Sequence, residues 1–331
     1  MRKRIVTVIL VISMVIGMLG GCGAVEAVQE AEKDASAETE TNEAELRYAV
    51  ILKTQASDFW VKMKNAIEMK AKAMGILVDI YAVQSEEDFE GQLSILESCI
   101  DEGYAGIAVA PLSPTNLIPG IVRACEQGIP IVNIDEKIDE EELREQGGFI
   151  VDLVITDNIE IGRKAAAFIA ERVEPGYSVA IIEGMEGNQS GTDRTIGASE
   201  VFTEAGLKIC ASAPADWDRD KAMETAASII DQNPELKAIY CCNDTMALGV
   251  LQAVINADKF GEIMVVGTDG DAEAVDSVNA GLLTATVVQD SEGIGVKGLE
   301  CLVQAVVNGK KGNAEAFPKA TIVDASVIFA K

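Results

Sequence analysis

The sequence predicts an α/β protein built on two mostly parallel, doubly wound sheets. Three observations predict it. Short apolar runs alternate with segments whose apolar residues recur at helical spacing. That alternation runs through once and then repeats, which is more than one sheet needs. The chain has 331 residues with 48% apolar composition, enough to bury about two domain cores.

Taken in order, the first strand covers 48–52, and a polar corner leads into a helix over 61–74 that Gly75 ends. Residues 77–82 form the next strand and 89–101 a helix closed by Gly103. A strand over 106–110 stops at Pro111; a helix over 117–127 stops at Gly128; a strand over 131–134 ends at Asp135. The pattern then repeats: a strand within 148–156, a helix over 158–173, a strand over 178–183 and a Gly-rich corner over 184–192. Next come a helix over 193–206, a strand over 208–213 and a helix over 219–232. The run 238–242 is apolar throughout, as a strand buried on both faces requires. It leads through Asn243, Asp244 and Thr245 into a helix. A strand over 264–267, a helix over 272–280, a strand over 284–288, a helix over 293–307 and a final strand near 320–329 complete the set.

Composition narrows the function. The formal charge is −27, the wrong sign for a nucleic-acid surface. There is no histidine, which removes His-based triads, His general bases and His metal ligands. No P-loop or dinucleotide fingerprint is present, and no cofactor is expected. Six cysteines besides Cys22 lack metal-ligand spacing and fall mostly in apolar patterns. They read as buried free thiols.

The N-terminus reads as a targeting segment. Arg2, Lys3 and Arg4 precede an apolar stretch over 5–19, too short for an ordinary membrane span. It ends in LGGC at 19–22, which resembles a bacterial lipoprotein signal. Residues 1–22 are therefore read as a signal peptide with Cys22 as the lipid attachment point, giving a membrane anchor. Residues 23–45 are rich in Ala and Glu with few large apolar side chains, and read as an acidic flexible tether.

The candidate site lies in the strand-end corners, because open α/β sheets bind ligands beyond the carboxyl ends of their strands. Asn243, Asp244 and Thr245 are also good helix caps, so that corner alone is ambiguous. Together the corners offer Ser57, Phe59, Trp60, Asp135, Glu136, Arg194, Trp217, Asn243, Asp269 and Gln289. Aromatics are only 5% of the chain, yet both tryptophans fall at such ends. Aromatic faces beside carboxylates, amides and an arginine suit a polyhydroxylated ring, whose C–H faces pack on them while its hydroxyls hydrogen-bond.

These stretches carry a resemblance. SDFW at 57–60, GIPIVNID at 128–135, TDN at 156–158, RTIG at 194–197, PADWD at 214–218, NDTMALG at 243–249, VGTDG at 266–270 and ATVVQ at 285–289 are similar, in order and spacing, to the ribose-type periplasmic binding proteins of sugar ABC transporters. The resemblance implies two Rossmann-like lobes of the periplasmic binding protein-like type I fold, joined by a three-segment hinge that closes on one ligand. It places residues 46–155 plus 290–323 in the N-terminal lobe and 156–289 plus 324–331 in the C-terminal lobe. Phe59 and Trp60 would hold a sugar ring from one lobe and Trp217 from the other. Asp135, Arg194, Asn243, Asp269 and Gln289 would hold hydroxyls, with Arg194 and Asp269 paired. The implied partners are a monosaccharide or related polyol and an ABC transporter permease, with the protein a monomer, not an enzyme, extracytoplasmic and lipid-anchored. The alternative is a sensor that presents its closed form to a membrane receptor.

Two departures bear on the ligand. Glu136 replaces an arginine of the ribose binders, and Ser57 replaces an asparagine. If Glu136 faces the ligand, it adds an acceptor and removes a fork of donors, which points away from ribose itself.

Overall fold

The computed structural model describes residues 46–310, 312–313 and 317–329; the expected lipoprotein signal, lipid attachment at Cys22 and tether lie outside these. A first sheet contains β1 (Arg47–Ile51), β2 (Leu77–Tyr81), β3 (Gly106–Val109), β4 (Ile131–Ile134), β5 (Asp152–Ile155) and β11 (Thr321–Ile322). A second contains β6 (Ser178–Glu183), β7 (Lys208–Pro214), β8 (Leu236–Cys241), β9 (Met264–Asp269), β10 (Ala285–Gln289) and β12 (Ala325–Phe329). The strand orders are β11-β5-β4-β3-β1-β2 and β12-β10-β9-β8-β6-β7. All pairings are parallel except β12 with β10. β3 and β4 are buried along their whole length, as strands covered by helices on both faces must be.

The helices are α1 (Asp58–Met74), α2 (Phe89–Asp101), α3 (Ile118–Glu126), α4 (Glu140–Glu145), α5 (Asn158–Ala170), α6 (Gln189–Glu204), α7 (Arg219–Gln232), α8 (Asp244–Asn256), α9 (Ala272–Asn279) and α10 (Ser291–Val307). Asp88, Asp139, Asp157, Asn188, Asp218, Asn243 and Asp290 each accept a first-turn N–H and start their helices. Gly75 ends α1 in the left-handed region at φ +67°, where a Cβ would be strained. The first sheet is sandwiched between two apolar clusters, one led by Tyr48, Met63 and Leu302, the other by Ile51, Leu96 and Ile107. The second sheet has one continuous core around Phe202 and Tyr240.

The chain changes sheet three times: from β5 into α5, from β10 into α10, and between β11 and β12. α10 returns to the first sheet, burying Ile294, Leu299 and Leu302 among β1, β3 and β4 residues.

Three sequence expectations are corrected. The 184–192 corner is shorter than expected, because Asn188 caps α6 and its first turn starts at Gln189. The final strand is two strands in different sheets, with Val323 and Asp324 between them. α4 was not expected at all; its one buried residue, Leu143, leaves no helical apolar pattern to detect.

Candidate functional site

The carboxyl ends of the two sheets face one cleft of about 510 Å³. Ser57, Phe59, Trp60, Asp135, Arg194, Trp217, Asn243, Asp269 and Gln289 all line it. Glu136 does not.

From the first lobe, Ser57 precedes α1 and makes no capping bond with its side chain. Phe59 and Trp60, on the first turn, meet edge to face with centroids 5.0 Å apart, a favoured aromatic geometry. Lys53, two residues beyond β1, is buried and also lines the cleft. Its Nζ lies 3.0 Å from Glu136 and 3.9 Å from Asp135, and 5.9 Å from the Trp60 ring centroid. Burial works against the Lys53 ammonium, but the carboxylates of Glu136, Glu86 and Asp135 outweigh it and hold its pKa above the usual value. Burial pushes the Asp135 carboxyl up to about 6, with Lys53 opposing.

From the second lobe, Arg194 is buried on α6. Its Nε donates to Asn158 Oδ1 at 2.8 Å and its Nη1 to the Cys242 carbonyl at 2.6 Å. Nη1 lies 3.5 Å from Asp269 Oδ1; burial opposes the guanidinium's charge, but Asp269 together with the other groups around it outweighs that and keeps it charged. Close helix packing sets this geometry. A Cβ at Gly162 of α5 would overlap the Arg194 carbonyl, and one at Gly197 of α6 would overlap that of Ile159, so only glycine lets the backbones approach. Gln289 Nε2 donates to Asp269 at 2.6 Å. Asn243 both caps α8, accepting from Met246 N at 2.8 Å, and lines the cleft. Asp244 does not line it. It is buried, accepts from Thr286 Oγ1 and from the Gly270 and Asp271 N–H groups, and so pins the corner that carries Asp269. Burial raises its carboxyl to about 7.

Backbone strain concentrates here. Among the described residues, the non-glycines at positive φ are Asp135 (62°), Asp216 (53°), Trp217 (62°), Asp258 (56°) and Asp269 (122°). All but Asp258 line the cleft. Aspartate tolerates this region, but a bulky Trp217 there costs on the order of 1–3 kcal/mol. Its indole lies against Gly184, where a Cβ would overlap the ring. Two buried cleft residues also carry an unpartnered polar atom, Asn188 Nδ2 and Gln289 Oε1, which a polar ligand would satisfy.

The expectation that Glu136 contacts the ligand is corrected. Its side chain is fully buried outside the cleft lining. All of its acceptor capacity goes to Lys53 Nζ, to the N–H groups of Gln189 (2.6 Å) and Ser190 (3.3 Å), and to the Ser190 hydroxyl. Lys53, Glu86, Asp216, Asp218, Arg219 and Lys221 line the cleft but were not singled out in the sequence. A lysine directly after an apolar strand, at the end where ligands bind, was the one available signal. The described residues hold no group of three or more Cys, Asp or Glu placed to bind a metal. Cys99, Cys241, Cys242 and Cys301 are buried free thiols; Cys125 and Cys210 are half-buried and free.

A periplasmic binding protein domain matches residues 48–311. The chain belongs to the periplasmic binding protein family. It is 48% identical over 287 residues to the D-allose-binding periplasmic protein of Escherichia coli, covering 86% of this chain and 92% of that one. It is 31% identical over 309 residues to the ribose import binding protein of Bacillus subtilis, covering 93% and 95%. Among solved structures, an ABC transporter periplasmic solute binding protein from Actinobacillus succinogenes with bound D-allose superposes with a TM-score of 0.80 at 28% identity, covering 86% of this chain and 97% of that one. The fold is thus the two-lobed type I fold of this family. The chain is a sugar-type solute-binding protein of the ABC transporter class; its relatives are binding proteins, not enzymes, and the family acts outside the cytoplasm.

Proposed function

We propose that this periplasmic binding protein captures D-allose or a closely related monosaccharide and delivers it to an ABC transporter permease. The observation that carries the reading is the composition of the cleft: indoles from both lobes, the Arg194–Asp269–Gln289 chain, and two buried amides each with a free polar atom. Those groups supply apolar faces and both donors and acceptors, which a sugar ring bearing several hydroxyls needs. The 48% identical relative, named for D-allose, favours an aldohexose over ribose. In this reading the lobes comprise residues 46–155 plus 290–323 and 156–289 plus 324–331, and they move about the three crossings between the sheets. Cys22, lipidated, holds the protein at the membrane through the 23–45 tether.

The test is calorimetric titration and thermal shift of the mature protein against D-allose, D-ribose, myo-inositol and other monosaccharides. D-Allose is expected to bind most tightly and to raise Tm most, since a ligand specific for the native state stabilises it in proportion to ln(1 + [L]/Kd). No response to any monosaccharide or polyol would overturn the sugar assignment. Loss of membrane association in Cys22→Ser is the expected sign of the anchor.

A further inference from the structure

We infer that Glu136 is an interlobe latch, which holds part of the population closed before sugar arrives and so sets the affinity for every sugar alike. The inference rests on the closure reading above, but it concerns a residue outside the cleft lining.

Glu136 follows β4 of the first sheet, and Gln189 and Ser190 open α6 beside the second. One carboxylate oxygen accepts the N–H groups of Gln189 at 2.6 Å and Ser190 at 3.3 Å; the other accepts the Ser190 hydroxyl and Lys53 Nζ, the latter at 3.0 Å. The side chain has no solvent exposure. The two helix N–H groups have no partner within α6, and the helix N-terminus favours negative charge. A carboxylate arriving from the opposite lobe therefore makes charge-assisted hydrogen bonds that exist only when the lobes meet. When they part, Lys53 stays with Glu136, since both belong to the first lobe, and the charge is not stranded. The α6 donors return to water. The whole difference between the open and closed states of this cluster thus lies in the bonds to Gln189 and Ser190.

A second contact has the same form. Asp58 Oδ2 accepts the N–H of Ala272 at the start of α9 at 3.0 Å, and Lys62 Nζ donates to the Gly270 carbonyl at 3.0 Å. Here the Asp58 side chain is 42% exposed, so water and salt weaken it. The buried Glu136 contact is the dominant one.

The affinity of a ligand for a two-state protein scales with the fraction already in the binding-competent state. Losing a latch multiplies Kd by one factor for all ligands; losing a ligand contact changes their order. The test compares wild type, Glu136→Gln and Ser190→Ala as mature chains, by calorimetry and stopped-flow dissociation with each sugar bound by the wild type, and by small-angle scattering without sugar. Glu136→Gln should raise every Kd about tenfold, the size expected for losing a charged hydrogen bond, with faster dissociation and unchanged sugar ranking. Its sugar-free scattering should shift toward the open form. Ser190 also lines the cleft, so Ser190→Ala is read by sugar-free scattering alone, where it should give a smaller shift toward the open form. Unchanged affinities, or factors that differ by more than threefold between sugars, would overturn the inference. If the wild type binds no sugar, the functional reading fails by itself, and the latch is judged by scattering: identical profiles for wild type and Glu136→Gln overturn it. If Glu136→Gln does not fold, as judged by circular dichroism, the sugar-free scattering of Ser190→Ala decides: a profile identical to that of the wild type overturns the inference.

Discussion

The two walls of the cleft hold their aromatic side chains by different means. On the first-lobe wall, Phe59 and Trp60 stand on the opening turn of α1, packed edge to face and rooted in the core beside Met63. On the second-lobe wall, Trp217 sits in a left-handed corner with Asp216 beside it, its ring held against Gly184 and 6.0 Å from the Arg194 guanidinium. The first wall has its own left-handed residue, Asp135, and its own buried pair, Lys53–Glu136, but draws the geometry of its aromatic rings from regular structure. The second draws it from strained backbone and a buried ion pair, whose cost must be met by the surrounding packing. The second wall should therefore be the more fragile to single substitutions.

The sharpest way to break this contrast is Arg194→Ala. It removes bonds to Asn158 and the Cys242 carbonyl and leaves Asp269 without its cation. Removing one partner of a buried pair costs on the order of 3–5 kcal/mol. Urea unfolding should show a loss of that size, together with loss of sugar binding. A loss below about 1 kcal/mol would place the wall's stability elsewhere. Next in size is Gly184→Ala. The added methyl displaces the Trp217 ring, at about 1–3 kcal/mol for an overpacked site. Sugar affinity should fall with it, while the environment of Trp60, 5% exposed on the other wall, stays unchanged by fluorescence quenching.

The smallest effect is read by pH on the first wall. The Asp135 carboxyl titrates near 6 in the folded chain, raised by burial, against a usual 3.8. Below 3.8 both states hold the proton. Between the two values the folded state holds a proton that the unfolded state has lost, so stability falls as pH rises through about 6. From pH 7.5 down to 5, Asp135 should add about 1.4 kcal/mol to the unfolding free energy, most of it below about pH 6.5, where the slope approaches ~1.4 kcal/mol per pH unit. Unfolding curves of wild type and Asp135→Asn should differ by that pH-dependent amount. Parallel profiles would remove Asp135 as its source.

Much of this was legible in the sequence, for identifiable reasons. Apolar runs such as 131–134 are bounded by Gly128 and Asp135, so strands and their ends could be read; nine residues at those ends line one cleft. Glu136 could not be placed, because Asp135 at φ 62° breaks the alternation that assigns neighbouring side chains to opposite faces. Lys53 was hidden by its type, since lysine is almost never buried unless paired, and its partner lies 83 positions away. Gly184 showed only as part of a Gly-rich corner; that it makes room for an indole is a tertiary fact.

The order in which the lobes are encoded is not the order in which they can be finished. β11 lies at the edge of the first sheet and β12 at the edge of the second, and α10 fills the first sheet's core from residues 291–307. The half of the molecule that is synthesised earliest must wait for residues made after β10 of the other sheet, with β5 left as a bare hydrogen-bonding edge until they come. Such edges template pairing with other chains. The vulnerable species is then the polypeptide whose β11 and β12 have not yet paired, and quick arrival of that segment protects both sheets at once.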